Sequence, residues 1–243
     1  MATTRRFFVE NIGREALLTG EAYAHAKNVL RLRAGDEVVL FDGSGTEYSA
    51  VVAAAEKGAL RCTVTAGAPS QKECKTPVAL FCGALKGDKT ELVVQKATEL
   101  GANRIVVYPS ARCVARYDAA GLGKKLARWQ KIAESAAEQS GRGRIPQVTA
   151  ARSWAELLQT AAATDLPLLF YERERDNALH QLAASPWRSA AILTGPEGGY
   201  TPEEVQQAAA AGIRIASLGA RILRCETAPL AALSALLFAA GEM

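Results

Sequence analysis

Apolar and polar positions change their period about a third of the way along the chain. Up to residue 66 the apolar residues come in short alternating runs. Arg5–Val9, Asp36–Asp42, Thr46–Ala55 and Leu60–Ala66 read as strands, with the turn DGSGT between the second and third. One segment, Glu21–Leu32 (EAYAHAKNVLRL), has helical spacing. Short strands joined by glycine-bearing turns predict a small barrel or sandwich. Residues 67–76, GAPSQKECKT, are polar and aperiodic and read as a linker. From Pro77 onward, continuous apolar runs alternate with amphipathic stretches. PVALFCGAL, NRIVVYP, LPLLFYE, SAAILTG and IRIASLG read as strands. DKTELVVQKATEL, Gly123–Ser140, SWAELLQTAAA, a short piece near Asn177–Ala184, a segment from Thr201 to Gly212, and Thr227–Ala240 read as helices. Thr201 and Glu204 have capping-box spacing with Pro202 at the first helical position. This alternation predicts a mostly parallel sheet covered on both faces.

Two loops stand out because each follows a predicted strand and precedes a helix. The first, in LTGPEGGYT (Leu193–Thr201), packs Gly195, Pro196, Glu197, Gly198 and Gly199 together. Glycines at that density let a backbone approach a ligand and present its N–H groups. A side chain at Gly198 is expected to block that approach. The second loop, in LGARILRCETA (Leu218–Ala228), carries Gly219, Arg221, Arg224 and Glu226 on an apolar thread. Two such loops on neighbouring strands would form a ligand crevice at a sheet edge. There is no G-x-G-x-x-G and no GK[ST], which disfavours a dinucleotide fold of the Rossmann type and a Walker loop.

Composition narrows the choice. With 243 residues and 49% apolar content, the chain can bury a sizeable core. A net charge of +4 permits nucleic-acid binding without demanding it. The five cysteines have no C-x-x-C spacing, and the two histidines, His25 and His180, lie in no recognisable motif. A disulfide framework, a zinc site and a Ser-His-Asp triad are therefore not expected, and a reducing cytoplasm fits. The start MATTRRFFVENIG has no apolar core of the secretory kind.

RRFFV, HAKNVLRLRAGDEVVLFDG, KATELGANRI, AAEQSGRGRIP, GPEGG and LGARILRCETA occur in the order found in the RsmE family, and the chain resembles that family over nearly its whole length. These bacterial SPOUT enzymes methylate N3 of a uridine in 16S rRNA with S-adenosyl-L-methionine. The resemblance implies a PUA-like β-barrel over residues 1–70 that recognises RNA. It also implies a SPOUT α/β methyltransferase domain over residues 71–243, a trefoil knot and a homodimer. The chain departs from the family at Cys225, where Thr is usual, so the resemblance implies no direct catalytic role for that side chain.

The cofactor site implied by these loops comprises Leu169, Phe170, Thr194, Gly195, Glu197, Gly198, Gly199, Leu218, Gly219, Ile222 and Leu223, with backbone groups reading the purine edge. Core packing accounts equally well for Leu218, Ile222 and Leu223. The chemistry needs a group facing O2 and O4 as uracil N3 loses its proton. Arg224 and Glu226 are the catalytic candidates, Glu226 as base, although an acid at a helix start is also favoured by the helix dipole alone. Positive charge for RNA comes from Arg5, Arg6, Lys27, Arg31, Arg112, Arg142 and Arg221, with Arg116 and Arg144 nearby. Among them Arg142 is distinguished by its flexible flanks, Gly141 and Gly143. The last helix, small and apolar nearly all round, would pack on a second copy through Ala231, Ala232, Ser234 and Ala235. A SPOUT enzyme acting on another RNA or on a ribose 2′-hydroxyl, a non-catalytic RNA-binding module, and a phosphate-binding α/β enzyme are the rival readings.

Overall fold

The computed structural model describes residues 5–114 and 117–243; Arg116 lies outside them. The chain divides into two compact units, Met1–Glu73 with Glu134–Ile145, and Cys74–Ala133 with Pro146–Met243.

In the first unit, β1 (Arg6–Phe8), β2 (Glu15–Thr19), β3 (Glu37–Phe41), β4 (Thr46–Glu56) and β5 (Ala59–Pro69) form one sheet in the order β1-β3-β4-β5-β2. Its pairs are antiparallel except β1 with β3. Phe7, Leu18, Leu40, Val52, Leu60 and Cys62 fill the core. The sequence pattern does not reveal β2, because Ala16, Leu17 and Leu18 run apolar without a break; in the sheet Leu17 points outward and is 48% exposed. The helix expected over Glu21–Leu32 is shorter. It consists of α1 (Gly20–Ala24) and a π-helical stretch His25–Val29, and Arg31 then turns the chain with φ 53°. The expected linker begins as strand, since β5 stays paired to β4 as far as Pro69.

The first unit also holds a chain of buried charges. The Arg6 guanidinium meets Glu47 at 3.1 Å, donates to the Arg142 carbonyl at 2.6 Å and lies over the Phe41 ring. Arg142 in turn pairs with Glu73 at 2.8 Å, and Glu73 also accepts the Arg144 backbone N–H. This network fastens the 141–145 loop to the strands. It explains why a segment so distant in sequence belongs to this unit.

In the second unit, β6 (Val78–Gly83), β7 (Arg104–Tyr108), β8 (Gln147–Ala150), β9 (Leu166–Phe170), β10 (Ala190–Thr194) and β11 (Arg214–Ala216) form a wholly parallel sheet in the order β11-β9-β10-β6-β7-β8. The short edge strand β8, in a segment that reads as loop, is the one addition. The helices are α2 (Lys89–Leu100), α3 (Ala119–Ser140, divided between the units at Ala133), α4 (Trp154–Ala162), α5 (Leu179–Leu182), α6 (Pro202–Ala210) and α7 (Ala228–Ala239). The capping box at α6 forms as its spacing predicts, with Thr201 Oγ1 accepting from Glu204 N–H and the Glu204 carboxylate accepting from Thr201 N–H. Helix α7 packs against α2, β6 and β10, so the chain leaves the β11 edge and returns to the middle of the sheet.

Candidate active site

Because β9, β10 and β11 are parallel neighbours, the loops at their C-terminal ends converge. They enclose a cavity of about 500 Å³, within the range of a small-molecule site. Phe170 at the end of β9 lines it with Tyr171, Glu172 and Arg175, followed by residues 195–200 after β10 and by residues 217–219 and 221–225 after β11; Lys89 and Ala228 complete the wall.

The glycine loop is shaped chiefly by its own protein. Gly199 has φ +64°, a left-handed conformation that favours glycine, and a Cβ there would lie 3.3 Å from the Glu172 carboxylate. A Cβ on Gly198 would meet the Cβ of Arg112 at 2.8 Å and its carbonyl oxygen at 3.0 Å. The bareness of Gly198 is thus required by the Arg112 loop, whether or not a ligand also approaches its backbone. On the opposite side, a Cβ on Gly83 would meet the Pro196 nitrogen at 2.7 Å, so the end of β6 also seats this loop. Beneath it, the buried Tyr108 and Tyr200 hydroxyls sit 2.5 Å apart, and Tyr108 donates to the Thr194 carbonyl at 3.0 Å. Burial pushes both phenols well above their usual range, so both stay neutral.

Nine of the eleven cofactor candidates line the cavity: Phe170, Gly195, Glu197, Gly198, Gly199, Leu218, Gly219, Ile222 and Leu223. Leu169 does not. It alternates to the other side of β9 and is fully buried in the core with Phe81 and Leu193. Thr194 is also buried beneath the loop rather than in the cavity wall. Ile222 is 77% exposed at the rim, which separates it from the core residues it resembles in sequence.

The catalytic candidates fall into a cluster organised by a residue the sequence did not single out. Lys89, in the first turn of α2, places its ammonium 3.1 Å from Glu226, 3.9 Å from Glu197 and 3.7 Å from the Cys225 sulfur. Glu197 also accepts the Lys86 backbone N–H at 3.0 Å. The Cys225 thiol donates to Glu226 at 3.1 Å. That thiol hydrogen bond, then the Glu226 backbone N–H and Lys89, holds the Glu226 carboxyl below the usual carboxylate range. Partial burial and the adjacent acid push the thiol up to about 11, so it remains a neutral donor. The Glu226 hydrogen bond raises Lys89 and keeps it charged. Glu226 is therefore firmly ionised and weakly basic. Arg221 and Arg224 line the cavity and are exposed, with no carboxylate partner among the described residues. Lys89 escaped notice because the chain separates it from Glu226 by more than half its length; the only available signal was a lysine opening a helix, where the dipole disfavours it.

The RNA candidates divide by burial. Lys27 and Arg31 are exposed on the first unit, with Lys27 donating to the Tyr23 hydroxyl at 2.7 Å. Arg5 is held by Asp36 at 2.9 Å. Arg112 is exposed and donates to the Gly198 carbonyl at 3.2 Å. Arg6 and Arg142, only 3% and 4% exposed, are committed to Glu47 and Glu73 inside the first unit and present no surface to a phosphate. The flanking glycines of Arg142 mark a tight turn in the buried charge chain rather than a free loop. Among the described residues, no three His, Cys, Asp or Glu side chains are grouped to hold a metal, and all five cysteines are free.

Two family models match the chain: an RNA methyltransferase PUA domain over residues 18–65 and an RNA methyltransferase domain over residues 72–237. Fold and site together define an RNA methyltransferase with an N-terminal PUA domain. The chain is 36% identical over 225 residues to ribosomal RNA small subunit methyltransferase E of Bacillus subtilis, covering 90% of this chain and 88% of that one. The same-named protein of Mycobacterium bovis is 35% identical over 235 residues, covering 94% and 89%. The chain belongs to this ribosomal RNA small subunit methyltransferase E family. The Neisseria gonorrhoeae member, solved bound to S-adenosyl methionine, superposes with a TM-score of 0.84 at 33% identity, covering 97% of this chain and 98% of that one. A Legionella pneumophila protein solved with its bound cofactor SAM gives 0.89 at 29% identity, covering 98% of each.

Proposed function

We propose that this protein methylates N3 of a specific uridine in 16S rRNA, using S-adenosylmethionine bound in the cavity at the ends of β9, β10 and β11. The observation that carries the proposal is this cavity, with Arg221 and Arg224 on one wall and no carboxylate paired to either among the described residues. Its volume, its open backbone at Gly219 and its apolar contributors Phe170, Leu218, Ile222 and Leu223 suit an adenosine with a charged tail. Bound there, the cofactor supplies an electrophilic methyl group.

The protein's part is to make an imide nitrogen available. As uracil N3 gives up its proton to solvent water at the cavity mouth, negative charge spreads onto O2 and O4. Arg224, facing the cavity, stabilises that charge at the moment it develops. Glu226, ionised and weakly basic, is better suited to anchoring Lys89 than to removing the proton. Lys89 offsets Glu226 and Glu197, so that the cavity does not repel the uracil anion. Arg112 and Arg221 hold the RNA backbone beside the mouth.

The dimer belongs to the same proposal. Helix α7 buries Pro229, Ala232, Leu233, Leu236 and Leu237 within its own chain. Ala232 is therefore removed from the expected interface. Ala231, Ser234, Ala235 and Phe238 occupy its outer side, and Phe238 is 74% exposed. That stripe, running on from the Ala228 end beside the cavity, supports a second copy packing there. The return of the chain from the β11 edge to α7 supports a trefoil knot. A cytoplasmic location follows from the ribosomal substrate; no helix among the described residues is long and apolar enough to cross a membrane.

Nucleoside mass spectrometry of 16S rRNA from cells lacking this protein tests the reading. Loss of N3-methyluridine, restored by the purified protein with S-adenosylmethionine, is expected. Loss of a 2′-O-methyl nucleoside instead would overturn the base chemistry.

A further inference from the structure

Helix α3 carries a run of cations that the cavity does not use. Lys124, Arg128 and Lys131 lie four and three residues apart and are all exposed, so they share one face. The opposite face buries Trp129 and Ala133. About 10 Å of helix axis separates Lys124 from Lys131, given the rise of an α-helix. Gly123 and Ala127 beside the cations are small and exposed, which leaves room for a bulky anion to lie against the backbone.

The charges on this face are poorly compensated. Arg128 meets Glu91 on α2 at 2.7 Å, and Lys125, toward the α2 side, meets the same carboxylate at 3.7 Å. A single acid thus serves two cations, while Lys124 and Lys131 have no acidic partner among the described residues. Like charges at these spacings cost helix stability. The protein keeps that cost on an exposed face of α3 that meets α2 through Glu91. Glu91 lies two residues beyond Lys89, in the same first turn of α2 that lines the cavity.

We propose that Lys124, Arg128 and Lys131 form a phosphate-binding ridge that holds the RNA backbone as it approaches the cavity. This rests on the reading of the protein as an RNA methyltransferase and adds to it a surface that grips the substrate away from the target base. The ridge reads no sequence. Its contacts are to phosphates, which position a strand and make binding sensitive to salt.

The test is the salt dependence of binding to in vitro transcribed 16S rRNA by the Lys124→Gln/Lys131→Gln protein. Glutamine keeps the helix propensity and length at these exposed positions, and Arg128 is left to hold Glu91. Affinity should fall several-fold, and the slope of log affinity against log salt should become shallower by about 1.4, or roughly 0.7 for each lost single-strand phosphate contact. S-adenosylmethionine affinity by calorimetry should not change, and Lys124→Arg/Lys131→Arg should restore the slope. An unchanged slope would overturn the ridge, whether or not affinity falls. The two readings fail separately. A wild-type protein that leaves the RNA unmethylated but shows the slope change loses the reaction and keeps the ridge; one that methylates normally with no slope change loses the ridge alone.

Discussion

Glu226 accepts from a thiol and an ammonium, so changing either donor should move its titration in a known direction. Both Cys225 and Lys89 favour the charged carboxylate, and removing either raises its pKa. If ionised Glu226 is required, the acid limb of the pH–rate profile moves up in pH with Cys225→Val, which removes the largest single cause, and also with Lys89→Met. Cys225→Thr restores a donor and should return the limb to its original place. Lys89→Arg should rescue most of the turnover lost in Lys89→Met, because the positive charge is kept. An acid limb that does not move in either variant would show that Glu226 does not control the rate. Arg224→Ala should lower kcat by about a hundredfold or more, the scale for a group stabilising developing charge, with little effect on cofactor affinity by calorimetry. Cys225 itself, held neutral by a pKa of about 11, should react slowly with iodoacetamide at neutral pH.

At the level of elements, two short segments carry stability out of proportion to their length. Thr201 caps α6 and is part of a reciprocal pair with Glu204, whose carboxylate also accepts the Ala111 N–H. Thr201→Ala should cost about 1 kcal/mol in denaturant unfolding. Arg142 is a stronger case. Removing it strips Glu73 of its buried partner, while the Arg142 carbonyl that accepts from Arg6 stays in place. Arg142→Ala should destabilise the protein by about 3 kcal/mol, the lower end for a broken buried pair, because Glu73 keeps the Arg144 N–H. The folded fraction should bind RNA with an unchanged salt slope, since this guanidinium reaches no phosphate. That contrast with Lys124 and Lys131 separates buried from available charge.

For the molecule as a whole, the outer stripe of α7 decides between one copy and two. Phe238→Lys places a charge on the largest exposed apolar side chain of the proposed contact. Light scattering at micromolar concentration should then report monomer mass where the wild type gives dimer, and methyl transfer should fall with it. A wild-type protein that is active as a monomer would sink the dimer. Replacing Phe238 leaves the inward stripe of Pro229, Ala232, Leu233, Leu236 and Leu237 intact, so the fold should survive.

Wherever local periodicity carries the information, the sequence alone determined the outcome. The change from alternating strands to strand–helix repeats, the Thr201 capping box, the helix ending at Gly101 and the two loops that line the cavity were all legible, because each depends on residues a few positions apart. The tertiary structure alone decided what depends on distant partners. It paired β2 with β5 and β8 with β7, strands whose apolar pattern is too short to speak for itself. It buried Leu169 while leaving Phe170, its neighbour, in the cavity wall. It also brought Lys89 to Glu226 and Glu197, and turned Arg6 and Arg142 from apparent RNA contacts into internal ion pairs. A charged side chain reads the same in sequence whether it meets water, a phosphate or a carboxylate; which of these it meets is set by what the fold places within a few ångströms.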